Sequence, residues 1–563
     1  MKRYILIFSF FNLLILSSCS DILNAESDLV EFAEDNTLDH PTDSVYSVLG
    51  IVGRLQLIAD RTVLLGEARS DLVEPTEEAS ADLKRLAAFN LSQKNKYNQV
   101  SDYYAVINNC NYYLANVDTT LQRRGRQLFK YEYAVVKAFR AWTYLELVKN
   151  YGQVPLVLKP LMTEREAQEA ANGPLSNIQE VCNYFIDDLA PYALTDLPNY
   201  ENIDARDTER FFIPVRALLG DLCLWAGRYE ESARWYNDYL NDKDDPVQLN
   251  YEASIRWTSV TDYQRPRDAY SVTSNNEVLS FIPMESRVFD GVVSDLRNVF
   301  CSTRENNYFF QLAPSQGMRK LSSDQVYCIE YKNESATQVD TVYAPRSGFT
   351  DNLLVGDLRL YSNYNQSSSG TQDPYSEYSS MRQTISKFSS LMVPTYRVTM
   401  VYLRYAEALN RAGLPQSAMA ILKYGLCKEN IDNYVDSLEQ VKAGDLIKFD
   451  DNLFTRETTI GIHSRGSGDS QCNAYYVLPQ PETPLATRED TIAYQIPQVE
   501  DLIVNEMALE GAFEGNRFYD LMRVALRRGD PAYLADPISR RSGKQDAALR
   551  ALLMDKNNWY LPK

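Results

Sequence analysis

Residues 214–240 read PVRALLGDLCLWAGRYEESARWYNDYL. Apolar residues recur at helical spacing from Val215 to Trp225, Ala226-Gly227 interrupts the pattern, and a second helical stretch runs to Leu240. Small residues lie where two antiparallel helices would cross, which is typical of a tetratricopeptide hairpin. This stretch therefore predicts a helical hairpin.

A second stretch repeats the pattern in residues 400–426. Met400, Leu403, Ala406 and Leu409 form the apolar stripe, and its turn, AGLPQSA, resembles AGRYEESA of the first stretch. Apolar spacing predicts further helices at 46–65, 97–114, 129–148, 501–512 and 518–527. We therefore expect a mainly α protein with a tetratricopeptide-like helical hairpin scaffold.

Two long stretches, 240–396 and 445–497, have little periodicity and are rich in Ser, Asn, Asp, Gly, Pro and Tyr. Long loops of this kind in a compact protein are usually functional. We expect an N-terminal helical region at 19–240, a loop-rich and aromatic-rich insertion with the ligand-binding region at 241–396, and a C-terminal region at 397–563.

The N-terminus has the pattern of an export signal. Lys2 and Arg3 precede an apolar segment, and Leu16-Ser17-Ser18-Cys19 has the form of a bacterial lipobox. We expect cleavage after residue 18, lipid modification of Cys19, and a protein that is anchored to a membrane without spanning it.

Composition excludes several functions. The formal charge of −19 over 563 residues would repel a phosphate backbone, so nucleic acid is excluded as a partner. The two histidines, His40 and His463, cannot build a histidine-rich metal cage, and we expect no metal and no cofactor. Beyond Cys19, the seven scattered cysteines lack a C-x-x-C pair, which argues against a disulfide framework.

Three motifs together resemble the SusD/RagB family of outer-membrane nutrient-binding lipoproteins. Residues 506–523, EMALEGAFEGNRFYDLMR, are similar to its closing signature; residues 401–410, VYLRYAEALN, to its central helix; and residues 139–156, FRAWTYLELVKNYGQVPL, to its early long helix. The resemblance implies a helical, non-catalytic lipoprotein of the outer membrane that binds oligosaccharides or peptides and delivers them to a SusC-like TonB-dependent transporter.

Ligand contacts are predicted from residue chemistry. A sugar ring docks on a flat aromatic side chain while polar side chains bond its hydroxyls. Trp257 opens the loop-rich region, and Tyr308-Phe309 follow two asparagines in it. Further candidates near the early helix pair are Arg69, Asp71, Asn90 and Tyr97.

Arg517 and Arg523 lie within helical reach of Glu510, Glu514 and Asp520, so we expect structural ion pairs there. The 76 acidic residues would also permit a pair of catalytic carboxylates. A surface glycoside hydrolase is therefore the enzyme alternative to an oligosaccharide-binding protein, and peptide binding is the alternative ligand class. We predict no catalytic residues.

Overall fold

The computed structural model describes residues 41–249, 256–257, 263–264, 277–287, 291–301, 310–332, 339–344, 356–368, 381–388 and 392–563. The predicted signal segment, Cys19, Tyr308 and Phe309 lie outside the described residues. Trp257 is described only as part of a strand.

The α-helices of the described residues are α1 (Pro41–Glu67), α2 (Ala81–Ala87), α3 (Val100–Asn116), α4 (Lys130–Tyr151), α5 (Glu164–Ala171), α6 (Ile178–Leu189), α7 (Val215–Ala226), α8 (Tyr229–Leu240), α9 (Leu296–Phe300), α10 (Gln316–Ser323), α11 (Arg359–Asn363), α12 (Val398–Arg411), α13 (Pro415–Lys423), α14 (Lys428–Tyr434), α15 (Ser437–Ala443), α16 (Ser464–Ser467), α17 (Arg488–Glu510), α18 (Arg517–Arg528), α19 (Ala532–Ser539) and α20 (Ala547–Leu553).

The strands are β1 (Val73–Pro75), β2 (Gln122–Arg123), β3 (Arg126–Gln127), β4 (Gln153–Pro155), β5 (Leu175–Asn177), β6 (Asn202–Ile203), β7 (Arg206–Asp207), β8 (Arg256–Trp257), β9 (Tyr263–Gln264), β10 (Val278–Pro283), β11 (Leu312–Pro314), β12 (Tyr327–Lys332), β13 (Val339–Ala344), β14 (Tyr364–Ser368), β15 (Met381–Ile385) and β16 (Met392–Arg397). All pair antiparallel in two-stranded sheets. Because the sheets are this small and the helices are long and numerous, the described part of the chain is mainly helical, as expected.

Both predicted hairpins are confirmed. Helix α7 packs on α8 and α12 packs on α13, and the turns place Gly227 at φ +79° and Gly413 at φ +84°, where glycine is favoured. A Cβ on Gly220 would lie 2.4 Å from the Tyr236 ring, so this glycine permits the close crossing of α7 and α8.

The two hairpins are neighbours in space although a long insertion separates them. Helix α8 packs against α12. Within the insertion, β10 pairs with β16, which runs directly into α12, and Val278 lies opposite Arg397 in this ladder. Strand β11 also joins the insertion to β1 near the N-terminal helices, through the pair Val73 and Pro314. Both ladders therefore fasten the insertion to the scaffold.

The prediction of a loop up to residue 497 is wrong at its end, because α17 already starts at Arg488. A capping box between Thr487 and Asp490 begins this helix, and Pro497 lies inside it. The Arg528 guanidinium donates to the Pro497 carbonyl at 2.7 Å and the Asn410 amide donates to the Ile496 carbonyl at 2.8 Å. Pro497 has no N–H to donate one turn back, and these two bonds tie the backbone beside it to α12 and α18.

No helix formed by the described residues combines the length and the apolar character that crossing a membrane requires.

Candidate functional site

A buried ionic network holds the insertion to the C-terminal helices. Glu510 of α17 meets three guanidinium groups, with N–O distances of 3.1 Å to Arg359, 3.3 Å to Arg397 and 3.3 Å to Arg465. Burial alone would raise the pKa of Glu510, but these arginines outweigh burial and lower it. The carboxylate is therefore charged and paired, which is a structural role.

His463 belongs to the same network and is not open to solvent. Its Nδ1 lies 3.0 Å from Glu506 Oε2, and its ring stacks on Tyr476 at a centroid distance of 3.7 Å. Burial would raise the pKa of Glu506, yet Arg359 and His463 lower it to about 2. Among the described residues, no group of three His, Cys, Asp or Glu side chains is arranged to hold a metal ion.

Arg69 and Asp71, two of the predicted ligand contacts, are buried. The Arg69 guanidinium donates to the Trp559 carbonyl and to Asn150 Oδ1, both at 2.8 Å. Asp71 accepts from Arg517 Nε at 2.7 Å and from Arg517 Nη2 at 2.9 Å. These bonds give both side chains a structural role within the protein, and a ligand contact by either stays a prediction.

The ion pairs of α18 are structural as expected, but the partner of Arg517 differs. Arg517 pairs with Asp71, 446 residues away, rather than with a carboxylate of its own segment. Arg523 pairs with the nearby Asp520 at 2.9 Å and also with Glu407 of α12. Tertiary packing therefore overrides helical spacing at Arg517.

A small cleft of about 50 Å³ lies among α4, α7, α12 and α18, with Trp142 and Trp225 in its lining. Its polar groups are already paired: Asp221 accepts from the Tyr396 hydroxyl and from Arg404, each at 2.7 Å. The Arg523 guanidinium covers the Trp225 ring at 5.2 Å. This cleft therefore offers few free donors, acceptors or aromatic faces to a sugar.

A more open surface surrounds the loop between α2 and α3. We call it the α2–α3 face and define it as residues 76–80, 88–99, 294–301 and 310–311. The Thr76 hydroxyl donates to the Phe310 carbonyl at 2.8 Å, and Ser80 N donates to Gln311 Oε1 at 2.9 Å. Insertion and N-terminal region thus meet at this face.

The predicted aromatic pair Tyr308-Phe309 belongs to the segment that joins Cys301 to Phe310. Phe310 N donates to the Cys301 carbonyl at 3.0 Å, so both ends of this segment lie at the α2–α3 face. Asp295, which precedes that segment in the chain, lies 3.5 Å from Lys96 of the loop that carries Asn90 and Tyr97. Tyr308 and Phe309 themselves stay predictions.

Hydrogen bonds from two asparagine side chains fix the α2–α3 loop to neighbouring backbone. Asn95 Nδ2 donates to the Asp82 carbonyl at 3.0 Å, and Asn98 Nδ2 donates to the Pro562 carbonyl at 2.8 Å. This support fixes the backbone on which Asn90 and Tyr97 are placed.

Exposed polar groups line the surface of this loop. Asn90 is exposed. Lys96 Nζ lies 4.7 Å from the Tyr97 ring centroid and 3.5 Å from Asp295 Oδ2, with both ion-pair side chains well exposed. Tyr97 is buried, and burial raises the pKa of its phenol. The face therefore combines an amide, an ammonium and a carboxylate that can exchange water for ligand hydroxyls.

Two residues of the face have a strained backbone, and the sequence carries no signal for them. Phe89 has φ +53° and Phe310 has φ +47°, a region that bulky residues rarely adopt. Such strain persists where surrounding structure enforces it, often at ligand sites. Phe518 provides part of that enforcement, since its ring lies 5.8 Å from Phe89 and 4.2 Å from the Arg69 guanidinium.

Trp257 lies elsewhere in the chain's fold. Its strand β8 pairs with β9 and contacts α16 of the C-terminal region. A ligand contact by Trp257 stays a prediction.

The architecture just described defines a class of protein: tetratricopeptide-like hairpins that pack together and carry a large insertion between them. The same architecture is found in SusD-like structures. A SusD-like carbohydrate binding protein from Bacteroides fragilis matches with a TM-score of 0.54 and 16% identity over 87% of this chain and 87% of that one. A SusD superfamily protein from Bacteroides vulgatus matches with a TM-score of 0.55 and 14% identity over 93% and 96%.

A putative sugar binding protein from Bacteroides vulgatus is similar to the same degree, with a TM-score of 0.54 and 14% identity over 87% of this chain and 88% of that chain. No protein-family model matches the sequence, and a comparison with curated proteins gives no match. The structural matches confirm the resemblance predicted from the motifs: the chain has the SusD-like fold.

Proposed function

We propose that the chain is a non-catalytic nutrient-binding lipoprotein of the outer membrane, which captures oligosaccharides and delivers them to a SusC-like TonB-dependent transporter. The observation that carries the proposal is the SusD-like fold, which covers 87% of this chain in the match to a carbohydrate binding protein of B. fragilis. The lining of the α2–α3 face supports it further.

The α2–α3 face supports oligosaccharide binding through its chemistry. Asn90 and the Lys96–Asp295 pair supply donors and acceptors at an exposed surface. Tyr308 and Phe309 lie in the chain between Cys301 and Phe310, two residues of this face that are joined by a hydrogen bond of 3.0 Å. Aromatic faces for sugar C–H groups and polar groups for sugar hydroxyls are the two parts that such a site needs.

A non-catalytic role is supported by the placement of His463 and Glu506. A general acid or base needs access to substrate and a pKa near the working pH. His463 is buried, and the pKa of its partner Glu506 is lowered to about 2. Neither side chain meets both requirements.

The binding test uses purified full-length protein, a glycan array and isothermal titration with the glycans that bind. Replacing Trp257, Tyr308 or Phe309 by Ala should weaken binding about tenfold or more at each position that contacts the sugar, since a buried aromatic contact is worth about 1–3 kcal/mol. Tyr131→Ala is the matched control, because Tyr131 is an exposed aromatic on α4. Equal affinity in all four variants would contradict the aromatic contacts.

Peptide binding is the second candidate, favoured by the charged Lys96–Asp295 pair on the face. The same titration with a peptide library distinguishes it, because binding to peptides without binding to glycans would replace the ligand class. Turnover of an oligosaccharide by the pure protein, abolished by one Asp or Glu substitution, would instead establish a glycoside hydrolase.

Membrane anchoring is proposed through Cys19, which lies outside the described residues. Cys19→Ala should remove the acylation site and release the protein from the outer membrane. Metabolic labelling with palmitate and membrane fractionation measure this, with Cys110→Ala as the control because Cys110 is buried in α3. A Cys19→Ala protein that still carries palmitate would contradict the anchor.

A further inference from the structure

Two cysteine thiols lie in contact although 144 residues separate them in the chain. Cys328 is in β12, Cys472 follows α16, and their Sγ atoms are 3.2 Å apart. The other described cysteines, at 110, 182, 223, 301 and 427, are buried. Cys328 is buried as well, whereas Cys472 is partly exposed.

The backbone around the two thiols fixes their contact. Asp469 N donates to the Cys328 carbonyl at 2.8 Å, and Glu330 N donates to Asp469 Oδ2 at 3.2 Å. Gly468 forms a bridge with Cys328 and has φ +81°, and a Cβ at Gly468 would lie 1.9 Å from the Cys328 carbonyl oxygen. Strand β12 and the turn at 468–473 are therefore held against each other.

The two thiols have different reactivities. The hydrogen bond from Cys328 lowers the pKa of Cys472, while the same bond and burial raise the pKa of Cys328. Both Sγ atoms lie 3.0 Å from the Asp469 carbonyl oxygen. Because the thiolate is the nucleophile, the exposed Cys472 is the sulfur that reacts first.

We propose that Cys328 and Cys472 form a disulfide by exchange with a low-molecular-weight disulfide such as oxidised glutathione. The Cys472 thiolate attacks one glutathione sulfur, the glutathione S–S bond breaks, and one glutathione thiolate leaves. Cys328 then loses its proton and attacks the Cys472 sulfur, which releases the second glutathione. The protein thiols lose two electrons and two protons, and the glutathione disulfide gains both as two thiols.

The bond would tie the β12–β13 hairpin to the turn after α16. Tyr343 is the register partner of Cys328 in this hairpin, and its ring meets Tyr475 at a centroid distance of 5.2 Å. Tyr475 is 70% exposed. The disulfide therefore fastens a surface aromatic pair that belongs to two distant segments of the chain.

The test is a thiol titration under denaturing conditions and peptide mapping by mass spectrometry, before and after treatment of the full-length protein with oxidised glutathione. We expect the loss of two thiols and a cross-linked peptide containing Cys328 and Cys472. The Cys427→Ser control should lose two thiols as well, because Cys427 is buried away from this reaction. An unchanged thiol count in the wild-type protein would overturn the proposal.

Two single variants test the order of reaction. Cys328→Ser should retain a glutathione adduct on Cys472, because no second thiol resolves it. Cys472→Ser should remain unmodified, since Cys328 is buried. A stable adduct on Cys328 in the Cys472→Ser protein, or a cross-linked peptide that joins other cysteines, would contradict the assignment. These readouts do not depend on ligand binding.

Discussion

Buried charged residues carry much of the specificity of this fold. Arg517 binds Asp71 through two nitrogens at 2.7 and 2.9 Å, and both side chains are buried. Arg69 reaches the Trp559 carbonyl across 490 residues. Because a buried charge without its partner is costly, such pairs admit only the arrangement that satisfies them.

Arg517→Ala should therefore lower the free energy of unfolding by about 3–5 kcal/mol, because it leaves the Asp71 carboxylate buried without its cation. Arg550→Ala is the matched control. Arg550 pairs with Asp536 at 2.6 Å, but about a third of each side chain is exposed, so its loss should cost at most about 1 kcal/mol. Urea unfolding of both variants measures the difference; equal losses would contradict the role given to Arg517.

Elements were predictable from the sequence where local signals agree. The hairpins α7–α8 and α12–α13 follow from apolar spacing and Ala-Gly turns within each stretch. The packing of α8 on α12 and the β10–β16 ladder were not predictable, because the insertion separates their partners. At the site, Asn90 and Tyr97 share a loop, whereas the apolar spacing predicted a helix from residue 97 that starts only at Val100. The burial of Arg69 depends on Trp559 and Asn150, which no local pattern connects to it.

Gly220→Ala tests the crossing of α7 and α8. The new methyl would meet the Tyr236 ring, which is fully buried and donates its hydroxyl to Asp221 at 2.5 Å, so the ring has little freedom to move. We expect a loss of about 1–3 kcal/mol of unfolding free energy. Gly50→Ala in α1 is the control, since nothing lies within 4 Å of its Cβ position, and it should stabilise by up to about 1 kcal/mol. Thermal and urea unfolding measure the change in unfolding free energy for both variants. Stabilisation by Gly220→Ala would rule out the close crossing of α7 and α8.

Across the whole molecule, buried carboxylates connect segments that are remote in sequence. Glu67 of α1 accepts from Phe513 N at 3.0 Å and Gly515 N at 2.9 Å, which fixes the turn between α17 and α18. Glu506 of α17 binds Arg359 of the insertion and His463. Protonation of Glu67 or Glu506 should therefore change the contacts among the N-terminal helix, the insertion and the C-terminal helices, and with them the stability of the protein.

We expect Glu67 and Glu506 to make the free energy of unfolding depend on pH in opposite directions, because their pKa values are shifted in opposite directions. Burial raises the pKa of Glu67 from 4.5 to about 7. Between these two pH values the native state holds a proton that the unfolded chain releases, so the free energy of unfolding falls as pH rises from 4.5 to about 7. Burial would also raise the pKa of Glu506, but Arg359 and His463 lower it from 4.5 to about 2. Its contribution is complete above pH 4.5 and is lost as pH falls towards 2.

Urea unfolding at a series of pH values from about 2 to about 8 separates the two contributions. Glu67→Gln should flatten the decline above pH 4.5 and leave the acid limb unchanged, whereas Glu506→Gln should flatten the acid limb alone. The slope is the readout, because each substitution also removes a hydrogen-bond acceptor or an ion pair and so changes stability at every pH. A wild-type protein whose stability rises steadily from pH 4.5 to 7, with the same slope in Glu67→Gln, would show that Glu67 is ionised in the native state and that its two backbone hydrogen bonds outweigh its burial.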